Sequence, residues 1–476
     1  MRLKLTALLL VFSIMAISAQ QKNWTLEECV NYALENNITI QQSELDLESA
    51  EVDKLDARGN FLPSLNAQAT HSWNIGLNQN VTTGILENLT TMFTSGGISM
   101  GVDIYKGLQN VNNLRRSNLA ILANQYRLDD MKDDISLAVA NGYLQILFNR
   151  ENLVVAKAQY AVTEQDLNRI AELVESGVVA RGDLLEIEAT AATREQQVVN
   201  SENNLRLSRI ALAQLLLIND YENFDIAVDD YEIQPSMVMD NSPKTIYEKA
   251  LSIRNDIKFS EASVELAETD VKLAKGSLYP RLTGFYNYNT RASYEDIVAG
   301  FETDPNNPTR QIGLVEGTDQ VVIAPNTIPI IEAMNPVMYQ FGVNDGHQFG
   351  ATLSVPILNG YSAKNSVKRN KVSLERAKLQ LEQDKLDLEN TINQAWNDAK
   401  AALSAHDAAQ KTFEARHLAF NYSKERFDVG LMNAFDFSQA QSRLDDAQAE
   451  VIRTKYDYIF RVKVLEFYFG IPIELN

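Results

Sequence analysis

The sequence predicts a mainly α-helical protein with transmembrane β-strands, built as two copies of one helix–strand–strand–long helix–turn–helix plan. Three observations predict it. A Gly and Asp pair set six residues apart recurs at a fixed separation, since Gly430 follows Gly177 by 253 residues and Asp436 follows Asp183 by the same 253. Two long proline-free stretches carry helical periodicity, and the short segments that precede them alternate apolar and polar residues.

The chain of 476 residues opens with MRLKLTALLLVFSIMAISAQQ. Arg2 and Lys4, the apolar run from Leu5 to Ile17 and the small residues after it form the three-part layout of a secretory signal. Residues 1–19 are therefore expected to be removed, with cleavage after Ala19, or after Ser18 as the alternative. The apolar run falls short of the roughly 20 residues that a spanning helix needs. Loss of Arg2 and Lys4 takes the formal charge from −20 to −22. Phosphate binding requires a basic face, so nucleic acid is not an expected partner. The single cysteine, Cys29, has no internal disulfide partner and reads as a buried helix residue. No later stretch approaches the length of an apolar spanning helix, so any membrane insertion must use strands.

The first repeat, residues 20–218, begins with a helix and then turns into strands at about 64–77 and 96–105. In the first strand Leu65, Ala67, Ala69, His71, Trp73, Ile75 and Leu77 alternate with small or polar residues. In the second, Ile98, Met100, Val102 and Ile104 alternate with Gly97, Ser99, Gly101 and Asp103. A period of two belongs to a strand with one apolar face. The second repeat, residues 242–469, again begins with a helix and has its strands at about 281–290 and 348–358. Leu282, Tyr286 and Tyr288 share one face of the first, and Phe349, Ala351, Leu353, Val355 and Ile357 one face of the second. Trp73, Tyr286 and Tyr288 are candidates for an interfacial aromatic girdle or for cross-strand packing. Pro63 and Pro280 lie only 217 residues apart, so copy two carries 36 extra residues between its proline and its next strand. That excess, within Arg291 to Gly346, holds breaks such as TDPNNPTR. It is expected to form an outward loop that cannot continue a strand.

Long hairpin helices follow at 107–218 and 360–469. From Ile135 a 4-3 spacing runs through Val139, Gly142, Ile146, Asn149, Leu153, Ala156, Tyr160, Thr163, Leu167, Ile170 and Val174. A seam kept for that distance is coiled-coil packing, and it implies a rod on the order of 100 Å. The return helix of copy two carries a looser seam through Leu444, Ala447, Val451, Tyr458 and Leu465. Gly177 and Gly430 are placed to end a helix in the left-handed conformation, and Asp183 and Asp436 to cap the next one. Residues 219–241 connect the copies, and residues 470–476 form a short tail.

Four strands cannot close a barrel alone, because lipid leaves open sheet edges unsatisfied. At least two chains must contribute. The duplicated layout, the openings LPSLNAQ and YPRLTGF, and the turns GVVARGD and GLMNAFD together make the chain similar to the TolC-type outer-membrane efflux protein family. The resemblance covers the whole mature chain. It implies a homotrimer, with a 12-stranded barrel in outer-membrane lipid, a 12-helix periplasmic tunnel, and an equatorial girdle from residues 219–241 and the tail. It further implies an exit duct for efflux or type I secretion, docked through a periplasmic adaptor to an inner-membrane RND or ABC transporter. On that resemblance the turns containing Gly177, Arg181, Asp183, Gly430, Met432, Asp436 and Gln439 form the periplasmic gate and adaptor-docking tip. Asp436 matches the first acidic residue of the gate. Gln439 stands where the second would be, and Met432 where a basic residue is common, while Arg181 lies in the other turn.

An enzyme is not expected, and neither is a cofactor. His71, His347, His406 and His417 are scattered, with no metal-ligand spacing to one another or to Cys29. The alternative reading is a structural periplasmic coiled-coil or adaptor protein without a channel. Such an adaptor would carry a single hairpin flanked by small β-domains instead of two copies with membrane-length strands.

Overall fold

The computed structural model describes residues 23–79, 85–227 and 236–471. The signal segment, part of the 219–241 connection and residues 472–476 lie outside them. The chain forms two compact units, one of residues 53–117 and 269–371 and one of the remainder.

The first unit is built on a four-stranded antiparallel sheet. Its strands are β2 (Ser64–Gln79), β3 (Leu86–Lys106), β5 (Arg281–Ser293) and β10 (Gly346–Ser354), in the order β10-β5-β3-β2. The register aligns the predicted apolar faces. Leu65 lies opposite Met100, Met100 opposite Tyr286, and Tyr286 opposite Phe349. One rung further, Ala67, Ile98, Tyr288 and His347 line up in the same way. Trp73 pairs with Met92, whose carbonyl accepts from the Tyr294 N–H at 3.2 Å. Aromatic side chains therefore reach from the Leu65 and Ala67 rungs to the Trp73 rung. Eight residues of strand separate Leu65 from Trp73, about 25 Å, which matches the height of an outer-membrane apolar band.

The strands differ in length from the sequence expectation. β3 begins at Leu86, because Gly96 and Gly97 are not a boundary. A Cβ on Gly97 would meet the Tyr288 carbonyl oxygen at 3.2 Å, so this glycine permits close approach inside the sheet. β10 stops at Ser354, two residues before Pro356, which has no N–H for the ladder. The 36-residue excess also departs from the expected loop. β5 continues through Ser293, and β6 (Ile297–Thr303), β7 (Thr309–Leu314), β8 (Val321–Pro325) and β9 (Thr327–Glu332) follow. β6 pairs with β9 and β7 with β8, so they form one long hairpin. TDPNNPTR interrupts only one arm, where Asn326 bridges the gap. Its carbonyl accepts from the Asp304 N–H and its N–H donates to the Pro308 carbonyl, both at 2.9 Å.

The other unit is helical apart from the paired two-residue strands β1 (Asn23–Trp24) and β4 (Asp225–Ile226), and its duplication is literal. Helix α1 (Leu26–Asn36) breaks at Asn37 before α2 (Ile38–Gly59), and α5 (Pro243–Ile253) breaks at Arg254 before α6 (Asn255–Gly276). The N-caps Thr25 and Ser242 are 217 residues apart, as are the two breaks. Helices α3 (Gln109–Glu175) and α8 (Ser362–Asp428) each have 67 residues, and their ends are offset by 253. They return as α4 (Arg181–Leu215) and α9 (Ala434–Phe469). The cores repeat as well. Cys29, Ala33, Val139 and Leu212 pack in one cluster, and Ile246, Ala250, Ile392 and Leu465 occupy the corresponding positions in the other. Cys29 fills the place of an isoleucine and is fully buried. No seam residue from Ile135 to Val174 is exposed. Helix α9 buries two faces. Tyr458 and Val462 pack on Ala399 and Ala402 of α8, while Ile452, Tyr456 and Ile459 join the copy-one cluster. No helix among the described residues is long and apolar enough to cross a membrane.

Candidate functional site: the paired hairpin turns

Both long helices end in the same hydrogen-bonded turn. Gly177 and Gly430 each have φ +76°. The Gly177 N–H donates to Val174 O at 3.0 Å and the Val178 N–H to Leu173 O at 2.9 Å. In copy two Gly430 donates to Phe427 O at 3.0 Å and Leu431 to Arg426 O at 2.8 Å. This is the Schellman arrangement, in which a left-handed residue lets two carbonyls at the helix end find donors. A Cβ on either glycine would meet nothing within 4 Å, so only the backbone conformation requires glycine.

The capping expectation for the two aspartates needs correction. The N-cap of α9 is Asn433, whose Oδ1 accepts from the Asp436 N–H at 2.8 Å, while its Nδ2 donates to Asp436 Oδ2 at 3.1 Å. Asp436 is thus a first-turn residue held by the cap. Helix α4 begins after Ala180, which makes no side-chain cap. Asp183 lies in its first turn and turns to the other hairpin, where Oδ1 accepts from the Ala434 N–H at 3.2 Å. It caps the partner hairpin's helix instead of its own. A carboxylate at either helix start also favours the positive end of the helix dipole.

Below the turns a small core joins the hairpins. Ile170, Ile187 and Ala434 are buried together, with Leu167, Val174, Leu184 and Phe427 against them. Phe427 and Phe437 stack with centroids 4.4 Å apart. Arg169 pairs with Asp428 at 2.5 Å and lies over the Phe427 ring at 5.5 Å. Asp166 is 3.6 Å from Arg169, and burial holds its carboxyl above the ordinary range against the pull of Arg169 and Lys424. Further links run along the helices. Thr190 and Ser438 hydroxyls meet at 2.8 Å, and Gln441 Nε2 donates to Thr163 Oγ1 at 3.3 Å. Arg194 forms an ion pair with Asp445, both side chains more than nine-tenths buried. Burial pushes the Asp445 carboxyl up to about 6, with Arg194 opposing and Asp446 adding to the rise.

The structure thus brings Asp183 to the start of α9 and Asp436 to Asn433. Gly177, Arg181, Gly430 and Gln439 are exposed, and Met432 is half-buried. Sequence reasoning missed Asn433, although an Asn three residues before Asp436 is a recognisable cap pattern. Arg169 and Asp428 stand 259 residues apart, and no local pattern pairs them. The histidines are scattered. His71 lies 2.7 Å from Thr94, His406 3.3 Å from Thr454 and His417 3.4 Å from Asn421, while His347 lies 2.8 Å from Tyr286 and 3.4 Å from the Asp345 carboxylate.

The sequence profile of the outer membrane efflux proteins matches residues 29–216 and 246–470, which are the two structural copies. The chain belongs to the outer membrane efflux protein family. This is a family of outer-membrane channels of efflux systems and not a family of enzymes. The chain is 22% identical over 440 residues to outer membrane protein TolC of Vibrio cholerae, covering 92% of this chain and 88% of that one. It is 20% identical over 439 residues to the efflux protein BepC of Brucella suis, with 91% and 83% covered. Among solved structures, the Campylobacter jejuni CmeC outer membrane channel superposes with a TM-score of 0.75 at 17% identity, covering 94% of this chain and 85% of the other. The Vibrio cholerae outer membrane protein VceC gives 0.74 at 14% identity, with 94% and 97% covered. These two likenesses carry the fold. Family membership carries the exit duct and its outer-membrane location.

Proposed function

We propose that three copies of this chain close a 12-stranded barrel and a 12-helix tunnel, and that the paired turns gate its periplasmic entrance. The carrying observation is the four-stranded sheet, whose apolar faces are in register while, among the described residues, no strand pairs with the outer edges of β2 and β10. Lipid tolerates such a sheet only when further copies pair with those edges. The equal 67-residue helices then set all six turns of a trimer at equal chain distance from the starts of the long helices. Substrates would enter from a periplasmic adaptor served by an inner-membrane RND or ABC pump, with the described parts of the equatorial segment, residues 219–227 and 236–241, girdling the tunnel.

In this reading the links between the hairpins hold the entrance shut, and opening requires α8 and α9 to move against α3 and α4. Asp183 of copy one accepts from the Ala434 N–H of copy two, and Arg169 and Arg194 of copy one pair with Asp428 and Asp445 of copy two. Asp436 is exposed beside the turn and offers three carboxylates per trimer to the passage. The test is purification from the outer-membrane fraction followed by single-channel recording. Detergent-resistant trimers with small conductance, enlarged when Arg169 and Asp183 are both changed to Ala, are expected. A soluble periplasmic monomer would leave the adaptor-like alternative standing.

A further inference from the structure

The hairpin of residues 297–332 has a surface that water alone does not explain. From Gln320 to Ile331 there is no charged residue. Yet Val321, Ile323 and Ile331 are more than half exposed, as is Phe301 across from Pro329. An isolated surface hairpin ordinarily places polar side chains on its open faces, and a contiguous apolar patch marks a contact.

The base of the insertion shows where that contact lies. Helix α7 (Val337–Val343) leads from the hairpin into β10 and is clamped to β5. Gln340 exchanges two hydrogen bonds with the Ser293 backbone, both at 2.9 Å, and Thr290 Oγ1 donates to Phe341 O at 2.8 Å. Asn344 Nδ2 donates to Arg291 O at 2.8 Å. The hairpin therefore rises from a pinned base next to β10, an open edge of the sheet. That edge is where the next copy must pair if the barrel closes.

We propose that the 297–332 hairpin packs through Val321, Ile323, Ile331 and the facing Phe301 against the insertion of the neighbouring copy, making an inter-copy collar beyond the barrel. This rests on the trimer reading above. Lipid is excluded as the cover, because the outer edges of a two-stranded ribbon carry backbone groups that hydrocarbon cannot satisfy. Pro325 and Pro329 interrupt any backbone ladder along the β8–β9 edge, so the contact is side-chain packing. A closed oligomer also holds the neighbouring insertion at high effective concentration, which favours it over a foreign partner.

The test uses the full chain in outer-membrane vesicles, with Cys29→Ala removing the native thiol. Ile323→Cys is compared with Thr318→Cys at the hairpin tip, using an impermeant maleimide. Ile323→Cys should label about tenfold more slowly in the assembled protein than after dissociation, because a packed site reacts through local opening. A short bismaleimide should join its copies covalently, and Ile331→Asp should restore fast labelling. Equal labelling at both positions in a chain that still runs as a trimer overturns the collar and leaves the barrel intact. Slow labelling with cross-links to another protein, or with none between copies, also overturns it. A monomer on native gels defeats the trimer reading itself.

Discussion

Asp183 Oδ1 accepts from the N–H of Ala434 at 3.2 Å, joining the first turn of one hairpin to the first residue of the other hairpin's return helix. The contact spans 251 residues of sequence. It makes the start of α9 dependent on copy one. Removing a helix-start acceptor costs about 0.5–2 kcal/mol. Asp183→Ala should therefore raise the open probability of single channels, whereas Asp183→Asn, which keeps an acceptor oxygen, should stay near the parent. Glu188→Ala, a change at an exposed side chain of α4 beyond the turn, serves as the control. Equal gating in Asp183→Ala and the parent would remove this contact from the latch.

Gly430→Ala and Gly177→Ala should each destabilise the turn by about 1–2 kcal/mol, the cost of a left-handed non-glycine residue. The two costs should be alike, since both glycines have φ +76° and open space around them. Gly107→Ala should be worse. Its Cβ would lie 2.2 Å from the Gly276 carbonyl oxygen, on top of a φ of +58°. Thermal unfolding of the assembled protein should rank Gly107→Ala well below the other two.

The Arg194–Asp445 pair sets a pH dependence. Burial raises Asp445 to about 6, above its value of about 4 in an unfolded chain. Between those values the native state holds more protons. Its contribution to stability therefore falls as pH rises through that window and levels off above about 6. Asp445→Asn should flatten this part of the profile. Arg194→Met leaves the carboxylate uncompensated and should cost about 3–5 kcal/mol at neutral pH, with partial recovery at pH near 5. Unfolding midpoints across pH 4 to 8 check both variants.

The acidic balance of the chain, −20 before the signal is removed, predicts a cation-selective conduit. Reversal potentials across a salt gradient should favour cations. Asp436→Ala should weaken that preference while trimers still assemble, because Asn433 still accepts from the residue-436 N–H and keeps the α9 cap. Anion preference in the parent would contradict the prediction.

The sequence by itself determined the duplication, the strand faces and the helix ends. These are local or periodic properties. Alternation from Leu65 to Leu77 follows from the two-residue repeat of a strand, and Gly177 and Gly430 end helices because a left-handed residue is cheap only for glycine. The 253-residue register was legible for the same reason, since each copy obeys the same local rules. Tertiary structure alone decided which residues hold the hairpins together. Asp183 reads locally as a helix cap, but a carboxylate accepts from whichever N–H is near, and packing of Ile170, Ile187 and Ala434 brings the α9 start within its reach. Arg169 finds Asp428, and Arg194 finds Asp445, only because α3, α4, α8 and α9 lie side by side. The insertion shows the same division. Its Pro and Asn breaks are visible in sequence, yet pairing of Thr303 with Thr327 and of Thr309 with Pro325 carries the hairpin past them, because cross-strand hydrogen bonds on either side outweigh a local interruption.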